Sequence, residues 1–230
     1  MEGAQTLLAF DNPWEIVGLI ALIVAIRVVV PRIRLSASAR ATTLEFVDSG
    51  LIAALLVFCL LRPFVVQAFF IPSGSMIPTL ETGDRILVNK FVYFLRDPAP
   101  DEIVVFNAPP AASIDDKDFI KRVVGAPGNS ICVRDGALYR DGQRIEEDYI
   151  AAPPRYVWPD PENPENCLPV PEGNYVTFGD NRNDSNDSHR WGDWDPTTGQ
   201  WINRPFVPRE NMLGKALVIF WPPSRIGLLH

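Results

Sequence analysis

The sequence predicts a mainly β fold, in which an antiparallel β-sheet domain follows two transmembrane helices that anchor it in a membrane. Two observations carry this prediction. Roughly the first seventy of the 230 residues are very apolar, whereas the remainder is rich in Pro, Gly and Asp. In that remainder, short β-branched runs alternate with turn residues, as is typical of strands. We therefore expect a membrane anchor over residues 1–66 and a β-rich domain over residues 67–230.

The first predicted span covers about residues 14–30 and is apolar except for Glu15 and Arg27. At about 1.5 Å per residue such a helix reaches roughly 25 Å, slightly less than the ~30 Å hydrocarbon core of a bilayer. Trp14 at one edge and Arg27, with its guanidinium extended to the other edge, would close the gap. The alternative is a buried helix of a soluble domain.

The second predicted span covers about residues 49–66. Arg62-Pro63 marks its exit, because a charge and a ring without an N–H are both unfavourable in the centre of a membrane helix. The loop between the two spans is basic, with Arg32, Arg34 and Arg40. The positive-inside rule places this loop in the cytoplasm. The sequence thus predicts a multi-pass protein of the cell (inner or plasma) membrane with its β-rich domain on the extracytoplasmic side.

Five runs after residue 80 have the composition of strands. They cover residues 85–89, 102–106, 118–125, 174–178 and 215–221. Between them, the dipeptides Asp135-Gly136 and Asp141-Gly142 predict two tight hairpin turns. The segment 151–171 is rich in Pro, Asn and Glu, which predicts a long surface loop.

The net charge and the cysteine content limit the kinds of function that the chain can have. The formal net charge of −7 argues against nucleic acid as a partner, because nucleic-acid binding depends on basic surfaces. Cys132 and Cys167 could pair in an oxidising compartment or remain as two thiols, and the sequence leaves both open. No cysteine spacing is typical of a metal site, and His189 and His230 are the only histidines. We expect no metal and no cofactor, and the sequence leaves the oligomeric state open.

A serine and a lysine stand out as candidates for chemistry. Ser75 lies in the stretch 71–80, which begins where the apolar run ends. A serine hydroxyl is a weak nucleophile and needs a base. Lys121 lies in the otherwise largely apolar run 118–125. A serine without an obvious histidine, together with a lysine that its neighbours would bury, indicates a Ser–Lys catalytic dyad.

A lysine serves as a base only when it is neutral. Its reference pKa of ~10.4 must fall to roughly 7–8 for that purpose, and burial is the available cause because it disfavours the charged ammonium. In an alternating strand, Lys121 shares a face with Phe119 and Val123, and we expect Arg122 to point the other way, towards solvent. The alternative is an ordinary surface lysine.

The polar stretch 179–192 is too hydrophilic for a core. Alone it fits a solvated loop or a calcium loop, since several carboxylates and amides stand close together. Taken with the serine and lysine elements, in this order, it resembles the type I signal peptidases, membrane-bound Ser–Lys endopeptidases that remove signal peptides from exported pre-proteins. Four motifs carry the resemblance: Ser-Gly-Ser-Met-x-Pro-Thr-Leu over 73–80, Gly-Asp-x-Ile-Leu-Val over 83–88, Lys-Arg-x-x-Gly-x-Pro-Gly over 121–128 and Gly-Asp-Asn-Arg over 179–182.

The resemblance implies a role for five side chains. Ser75 is expected to be the nucleophile and Lys121 the general base. Ser73 resembles the hydroxyl that completes an oxyanion hole with the Ser75 backbone N–H. Ser185 resembles the residue that positions the lysine amine, and Asp187 the carboxylate of a supporting salt bridge.

The resemblance also implies a substrate class. Signal peptides of exported pre-proteins and the lipid bilayer are the expected partners, with no nucleic acid. Shallow pockets for small side chains are expected to be lined by Ile71, Met76, Leu80, Ile86, Phe119 and Ile120. Asp118 and Ile120 are expected to offer backbone groups to an extended substrate strand.

Three departures from the family pattern stand in this chain. His189, followed by Arg190, occupies a place where the family often has Arg, which leaves the partner of Asp187 open. Asn183-Asp184 reverses a more common order. An insertion over residues 193–205 separates two segments that the family often runs together.

Other interpretations of the sequence assign the chain to different classes of protein. A membrane-tethered β-domain that binds peptides without cutting them is the alternative from outside the enzymes. Self-cleaving repressors share Ser–Lys chemistry but would need a DNA-binding module and no spans. Ser–Lys β-lactamases and penicillin-binding enzymes need Ser-x-x-Lys, whereas Pro78 occupies that offset from Ser75.

Overall fold

The computed structural model describes residues 5–6, 13–32, 36–56, 66–115, 117–163, 165–197 and 199–230. The chain divides into two compact units. One comprises Thr6–Gln67, and the other comprises Met1–Gln5 with Ala68–His230.

The smaller unit contains two helices, α1 (Pro13–Val29) and α2 (Ala37–Leu55), and a 3₁₀ turn over Val30–Arg32 follows α1. Helix α2 begins well before the second predicted span. Ser36 caps it by accepting the Ala39 N–H on its hydroxyl at 3.3 Å, so a capping residue sets the start of the helix rather than the onset of apolar sequence. The later part of that predicted span, residues 57–65, lies outside the described residues.

An ion pair joins the two helices. Arg27 Nε donates to Asp48 Oδ1 at 2.5 Å, so the Arg27 side chain turns to α2 instead of extending along α1 as expected. Within the part of the chain that the structure describes, no helix combines the length and the apolar character needed to cross a bilayer. The two spans stay predictions.

Outside the helix pair, the described residues form mainly strands. In chain order they are β1 (Gln5–Thr6), β2 (Val66–Phe70), β3 (Arg85–Asn89), β4 (Ile103–Asn107), β5 (Asp118–Gly125), β6 (Ser130–Arg134), β7 (Ala137–Arg140), β8 (Gln143–Arg144), β9 (Leu168–Pro169), β10 (Asn174–Phe178), β11 (Gly192–Asp195), β12 (Gln200–Asn203), β13 (Val207–Pro208), β14 (Met212–Trp221) and β15 (Gly227–Leu228). A short helix, α3 (Val92–Leu95), lies between β3 and β4, and 3₁₀ turns cover Arg209–Asn211 and Pro223–Arg225.

Nine strands form one large sheet in the order β1-β2-β3-β14-β4-β5-β10-β13, with β15 added to β14. The strand pairs from β3 to β13 and the β14–β15 pair run antiparallel, which confirms the predicted mainly antiparallel β architecture. The strands predicted over 85–89, 118–125 and 174–178 have these limits in the structure. The strand predicted over 102–106 is shifted by one residue, and the one predicted over 215–221 begins earlier, at Met212.

A second sheet has the order β8-β7-β6-β9. Its two hairpin turns contain the predicted dipeptides, with φ of 51° and 69° at Asp135-Gly136 and 54° and 76° at Asp141-Gly142. Positive φ at both central residues is the geometry of a type I′ turn, for which Asp-Gly is suited. A disulfide joins Cys132 in β6 to Cys167 beside β9, which settles the question that the sequence left open.

The insertion over residues 193–205 contributes most of a hairpin of β11 and β12, in register from Gly192–Asn203 to Asp195–Gln200. The sequence identified the insertion but not its strands. Both strands are only four residues long, and Gln-Trp-Ile-Asn in β12 does not alternate, so periodicity gave too short a signal.

Strand β5 is the centre of the larger unit. Every residue of it after Asp118 is buried, and its apolar side chains enter three separate core clusters. Ile120 belongs to one, Phe119 and Val123 to a second, and Val124 to a third. A strand that is packed on both faces holds each of its side chains in a fixed direction, which matters for the lysine that it carries.

Candidate functional site

The serine of the site lies in the turn that connects β2 to β3. Within the turn, the Ile77 N–H donates to the Gly74 carbonyl at 3.2 Å. Asn181 holds it from outside: its N–H donates to the Ser75 carbonyl at 3.1 Å and its side-chain amide to the Gly74 carbonyl at 3.1 Å. Ser75 is 3% exposed. Its position is therefore fixed by the backbone on both sides.

Lys121 reaches this serine from β5. Its Nζ lies 2.8 Å from Ser75 Oγ and also donates to the Ile120 carbonyl at 3.0 Å. The amine lies 5.3 Å from the centre of the Phe119 ring, as expected if the two side chains share a face of the strand. Lys121 is 1% exposed. The sequence elements 71–80 and 118–125 thus meet at one hydrogen bond.

Arg122 does not point towards solvent, and that prediction was wrong. It is buried and forms a bidentate ion pair with Asp180, with Nε–Oδ1 and Nη2–Oδ2 distances of 2.9 and 2.7 Å. Its Nη1 donates to the carbonyls of Asp101 and His230, each at 2.8 Å. Alternation gave its direction correctly, but the far face of β5 is covered by other segments and not by water.

The two supporting serines differ in their surroundings. Ser73 Oγ donates to Ser75 Oγ at 3.4 Å, so it lies beside the proposed nucleophile. Ser185 is buried, and its hydroxyl has no hydrogen-bond partner among the described residues, so the expected bond between Ser185 and the Lys121 amine is not formed there. It packs against Gly179: an alanine Cβ at Gly179 would lie 2.7 Å from Ser185 Cβ and closer still to Ser185 Oγ and the Ser75 carbonyl oxygen.

The side chain of Asp187 pairs with that of His189. The His189 Nδ1–Asp187 Oδ1 distance is 2.5 Å, and Asp187 Oδ2 accepts the Gly179 N–H at 2.8 Å. Burial pushes the pKa of Asp187 up, but its interactions with His189 and the Gly179 N–H outweigh this and hold that pKa below its ordinary value. Arg190 instead donates to His189 Nε2 at 3.2 Å.

A second buried ion pair supports the same loop. Arg182 binds Glu147 through both terminal nitrogens, each at 2.6 Å, and donates from Nε to the Gly179 carbonyl at 3.1 Å. The Tyr149 hydroxyl donates to Glu147 at 2.8 Å, and the Arg122 guanidinium lies 3.8 Å above the Tyr149 ring. Burial, with Glu147 beside it, raises the pKa of the Tyr149 hydroxyl.

The sequence analysis predicted no role in the site for five of these residues, which are Arg122, Glu147, Tyr149, Asp180 and Arg182. Asp180 and Arg182 belong to the Gly-Asp-Asn-Arg motif, so the signal for them was present. Glu147 and Tyr149 follow β8 in a stretch of charged residues that reads as solvated surface, and only the fold brings them to the site.

The residues expected to line substrate pockets are all buried. Ile71, Met76, Leu80, Ile86 and Ile120 belong to one core cluster, whereas Phe119 belongs to the cluster on the other side of β5. Asp118 lies at the end of β5, where the Asn107 side-chain amide donates to its carboxylate at 2.8 Å. Pairing of β5 with β10 runs only from Gly125 to Arg122.

Chemically, the site is a hydroxyl in contact with a buried amine. A neutral amine can accept the hydroxyl proton as the oxygen attacks a carbonyl carbon. The Ser73 hydroxyl is a further hydrogen-bond donor beside Ser75 Oγ.

Comparison with known proteins agrees with this chemistry. Residues 43–221 match the family described as signal peptidase, peptidase S26. A probable signal peptidase I-2 of Synechocystis sp. is 44% identical over 173 residues, covering 74% of this chain and 69% of that protein. A probable signal peptidase I-1 of the same organism is 42% identical over 183 residues, covering 78% and 83%. Thylakoidal processing peptidase 1, chloroplastic, of Arabidopsis thaliana is 37% identical over 182 residues, covering 76% and 47%.

These matches confirm the resemblance drawn from the four motifs, two of which contain Ser75 and Lys121. The matched region includes the serine turn, β5 and the polar loop after β10. This chain belongs to the signal peptidase family, peptidase S26.

Proposed function

We infer that this chain is a serine endopeptidase of the signal peptidase I type, which removes signal peptides from exported pre-proteins with Ser75 and Lys121. The observation that carries the proposal is the 2.8 Å contact between Lys121 Nζ and Ser75 Oγ, with both side chains buried. Burial disfavours the charged ammonium and so favours the neutral amine that a base requires. A neutral amine accepts the serine O–H across the same distance.

The reaction follows from this pair. Ser75 Oγ attacks the scissile carbonyl carbon while its proton moves to Lys121 Nζ, and the carbonyl oxygen becomes an oxyanion near the Ser75 N–H and the Ser73 hydroxyl. The intermediate collapses to an ester as Lys121 returns the proton to the leaving amine. Water then attacks the ester with Lys121 again as base, which releases the acid and restores the serine. Ser185 and Asp187 support the loop beside the pair.

The substrate side of the proposal rests on β5. Because pairing with β10 stops at Arg122, an extended peptide can lie alongside Asp118 and Ile120 and bond to their backbone groups. Small side chains next to the cut would enter shallow pockets whose walls are the buried apolar residues Ile71, Met76, Leu80, Ile86, Phe119 and Ile120. Packed walls of this kind favour Ala, Gly or Ser over larger residues.

We further propose that residues 1–66 anchor the chain in the membrane through two spans and place the β-rich domain on the extracytoplasmic side. Exposed apolar side chains on the helix pair support attachment to lipid, with Phe46 of α2 being 76% exposed. The three arginines between the spans support the orientation. The Cys132–Cys167 disulfide supports it independently, since disulfides persist in oxidising compartments.

The test is cleavage of a purified pre-protein by the full chain in detergent and lipid, with N-terminal sequencing of the product. Ser75→Ala and Lys121→Ala should each abolish cleavage, and the double variant should be no worse than either, because both side chains serve one proton-coupled attack. Ser73→Ala should cost about 10²–10³-fold in kcat. Binding without cleavage by the wild-type chain would favour the non-catalytic peptide-binding alternative.

A further inference from the structure

A line of contacts runs from His189 to the reacting serine. Asp187 has one carboxylate oxygen on the His189 ring and the other on the Gly179 N–H. Gly179 packs directly against the Ser75 carbonyl and Ser185, with no room for a methyl group. Any movement of the Asp187 carboxylate therefore reaches the backbone of Ser75 through a single residue.

The His189 ring is held on every side. It stacks on Tyr156 with ring centres 4.1 Å apart and planes 3° from parallel, and the Phe178 ring meets it edge-on at 6.0 Å. Its side chain is 8% exposed. Arg190 Nε donates to His189 Nε2, and arginine has no acceptor, so Nε2 is an acceptor and Nδ1 carries the proton of the neutral ring. That proton is donated to Asp187.

We propose that His189 is a positioning residue for the Ser75–Lys121 pair, acting through Asp187 and Gly179. The proposal rests on the proposed function, because the reaction of Ser75 is what the positioning serves. His189 does not touch the reacting atoms. It determines whether the carboxylate that orients Gly179 stays ionised and in place.

The other groups around the ring do not replace it as partner of Asp187. Tyr156 presents its ring, and its buried hydroxyl has no hydrogen-bond partner in the described part of the chain. Phe178, from β10, is not titratable. Arg190 contacts the far nitrogen of the ring and is exposed. The nearby guanidinium of Arg182 is already paired with Glu147.

Loss of the imidazole would leave a fully buried carboxylate with two backbone donors, the Gly179 N–H at 2.8 Å and the N–H of residue 189 at 3.2 Å. Burial then acts on Asp187 without the hydrogen bond from the imidazole, so its pKa rises. Protonated Asp187 holds Gly179 less firmly, and the Ser75 backbone loses its support. The consequence is a lower kcat that falls further on the acid side.

The experiment measures kcat and KM against pH for the full chain acting on a pre-protein. We expect His189→Ala to lower kcat by about 10- to 100-fold, to leave KM within about threefold, and to move the acid limb of the kcat profile to higher pH. His189→Gln, which keeps a donor but no charge, should recover much of kcat near neutral pH. His189→Arg, a permanent cation, should also return the acid limb towards that of the wild type.

Arg209→Ala is the stability control. It removes bonds to the Asp97 carboxylate at 2.7 Å and to the Tyr93 carbonyl, neither of which belongs to the line of contacts from His189 to Ser75. It should therefore lower Tm without moving the acid limb. A wild-type kcat and acid limb in His189→Ala overturns the proposal. The proposal is also overturned if the activity of His189→Ala falls only in proportion to its folded fraction, as in the control. In that case His189→Gln and His189→Arg would show no recovery of kcat. An inactive wild-type chain, or an active Ser75→Ala, would instead refute the proposed function.

Discussion

Gly179→Ala should disable the site through one methyl group. The new Cβ would lie 2.7 Å from Ser185 Cβ and closer still to Ser185 Oγ and to the Ser75 carbonyl oxygen. Non-bonded heavy atoms prefer about 3.5–4.0 Å, so the Ser75 carbonyl must retreat by roughly 1 Å. A displacement of that size near a reacting group costs on the order of 10²-fold in rate. Overpacking of this kind should also cost about 1–3 kcal/mol of stability.

The assay is kcat/KM on a pre-protein, with Tm measured on the same preparations. Gly227→Ala is the matched control, because the nearest atom to its new Cβ would be 3.9 Å away. We expect the control to keep the wild-type kcat/KM and Tm. Activity of Gly179→Ala within about threefold of the wild type would refute the argument that this glycine holds Ser75 in place. A loss of Tm without a loss of activity in the folded fraction would refute it as well.

Three further outcomes are expected. Leu or Phe in place of a small residue just before the cut should lower cleavage by roughly 10- to 100-fold, and equal rates would refute the proposed pockets. Cys167→Ser should lower the free energy of unfolding in urea by about 3–4 kcal/mol, because the disulfide closes a loop with a separation of 35 residues; an unchanged midpoint would refute it. Burial raises the pKa of Glu102, but hydrogen bonds from Arg96, the Ala99 N–H and Lys215 outweigh this and lower it to about 2. Its stabilisation should thus be full above the ordinary pKa of about 4.3 and be lost as pH falls towards 2; Glu102→Gln should flatten that loss in acid-unfolding curves.

The strands and the serine–lysine contact could be predicted because their signals are local in the sequence. Runs such as 85–89 and 174–178 are short, β-branched and bounded by turn residues, so composition alone fixed their limits. The two Asp-Gly dipeptides specify their turns because few residues accept a positive φ twice in succession. The pairing of Ser75 with Lys121 was indicated first by a serine without an obvious histidine and a lysine in an apolar run, and the motif resemblance then strengthened it.

The contacts that could not be predicted join segments that are distant in the chain. Alternation turns Arg122 away from Lys121, but it cannot show that Asp180, 58 positions later, covers that face. The partner of Asp187 stayed open because His189 and Arg190 both stand within reach in sequence. In the structure the partner is His189, whose ring stacks on Tyr156. No local sequence pattern predicts such a stack.

The two buried arginine pairs explain how a polar loop can position a nucleophile. Arg122 binds Asp180 from β5, and Arg182 binds Glu147 while also holding the Gly179 carbonyl. Replacing a buried ion pair by packed apolar residues is often neutral or stabilising, by about 1–4 kcal/mol, because desolvation of the charges is costly. Stability is therefore a poor reason for two such pairs in one loop. Bidentate hydrogen bonds fix direction as well as distance, and apolar packing does not. We attribute to these pairs the fixed placement of Gly179 against the Ser75 carbonyl, which the attack on a peptide bond requires.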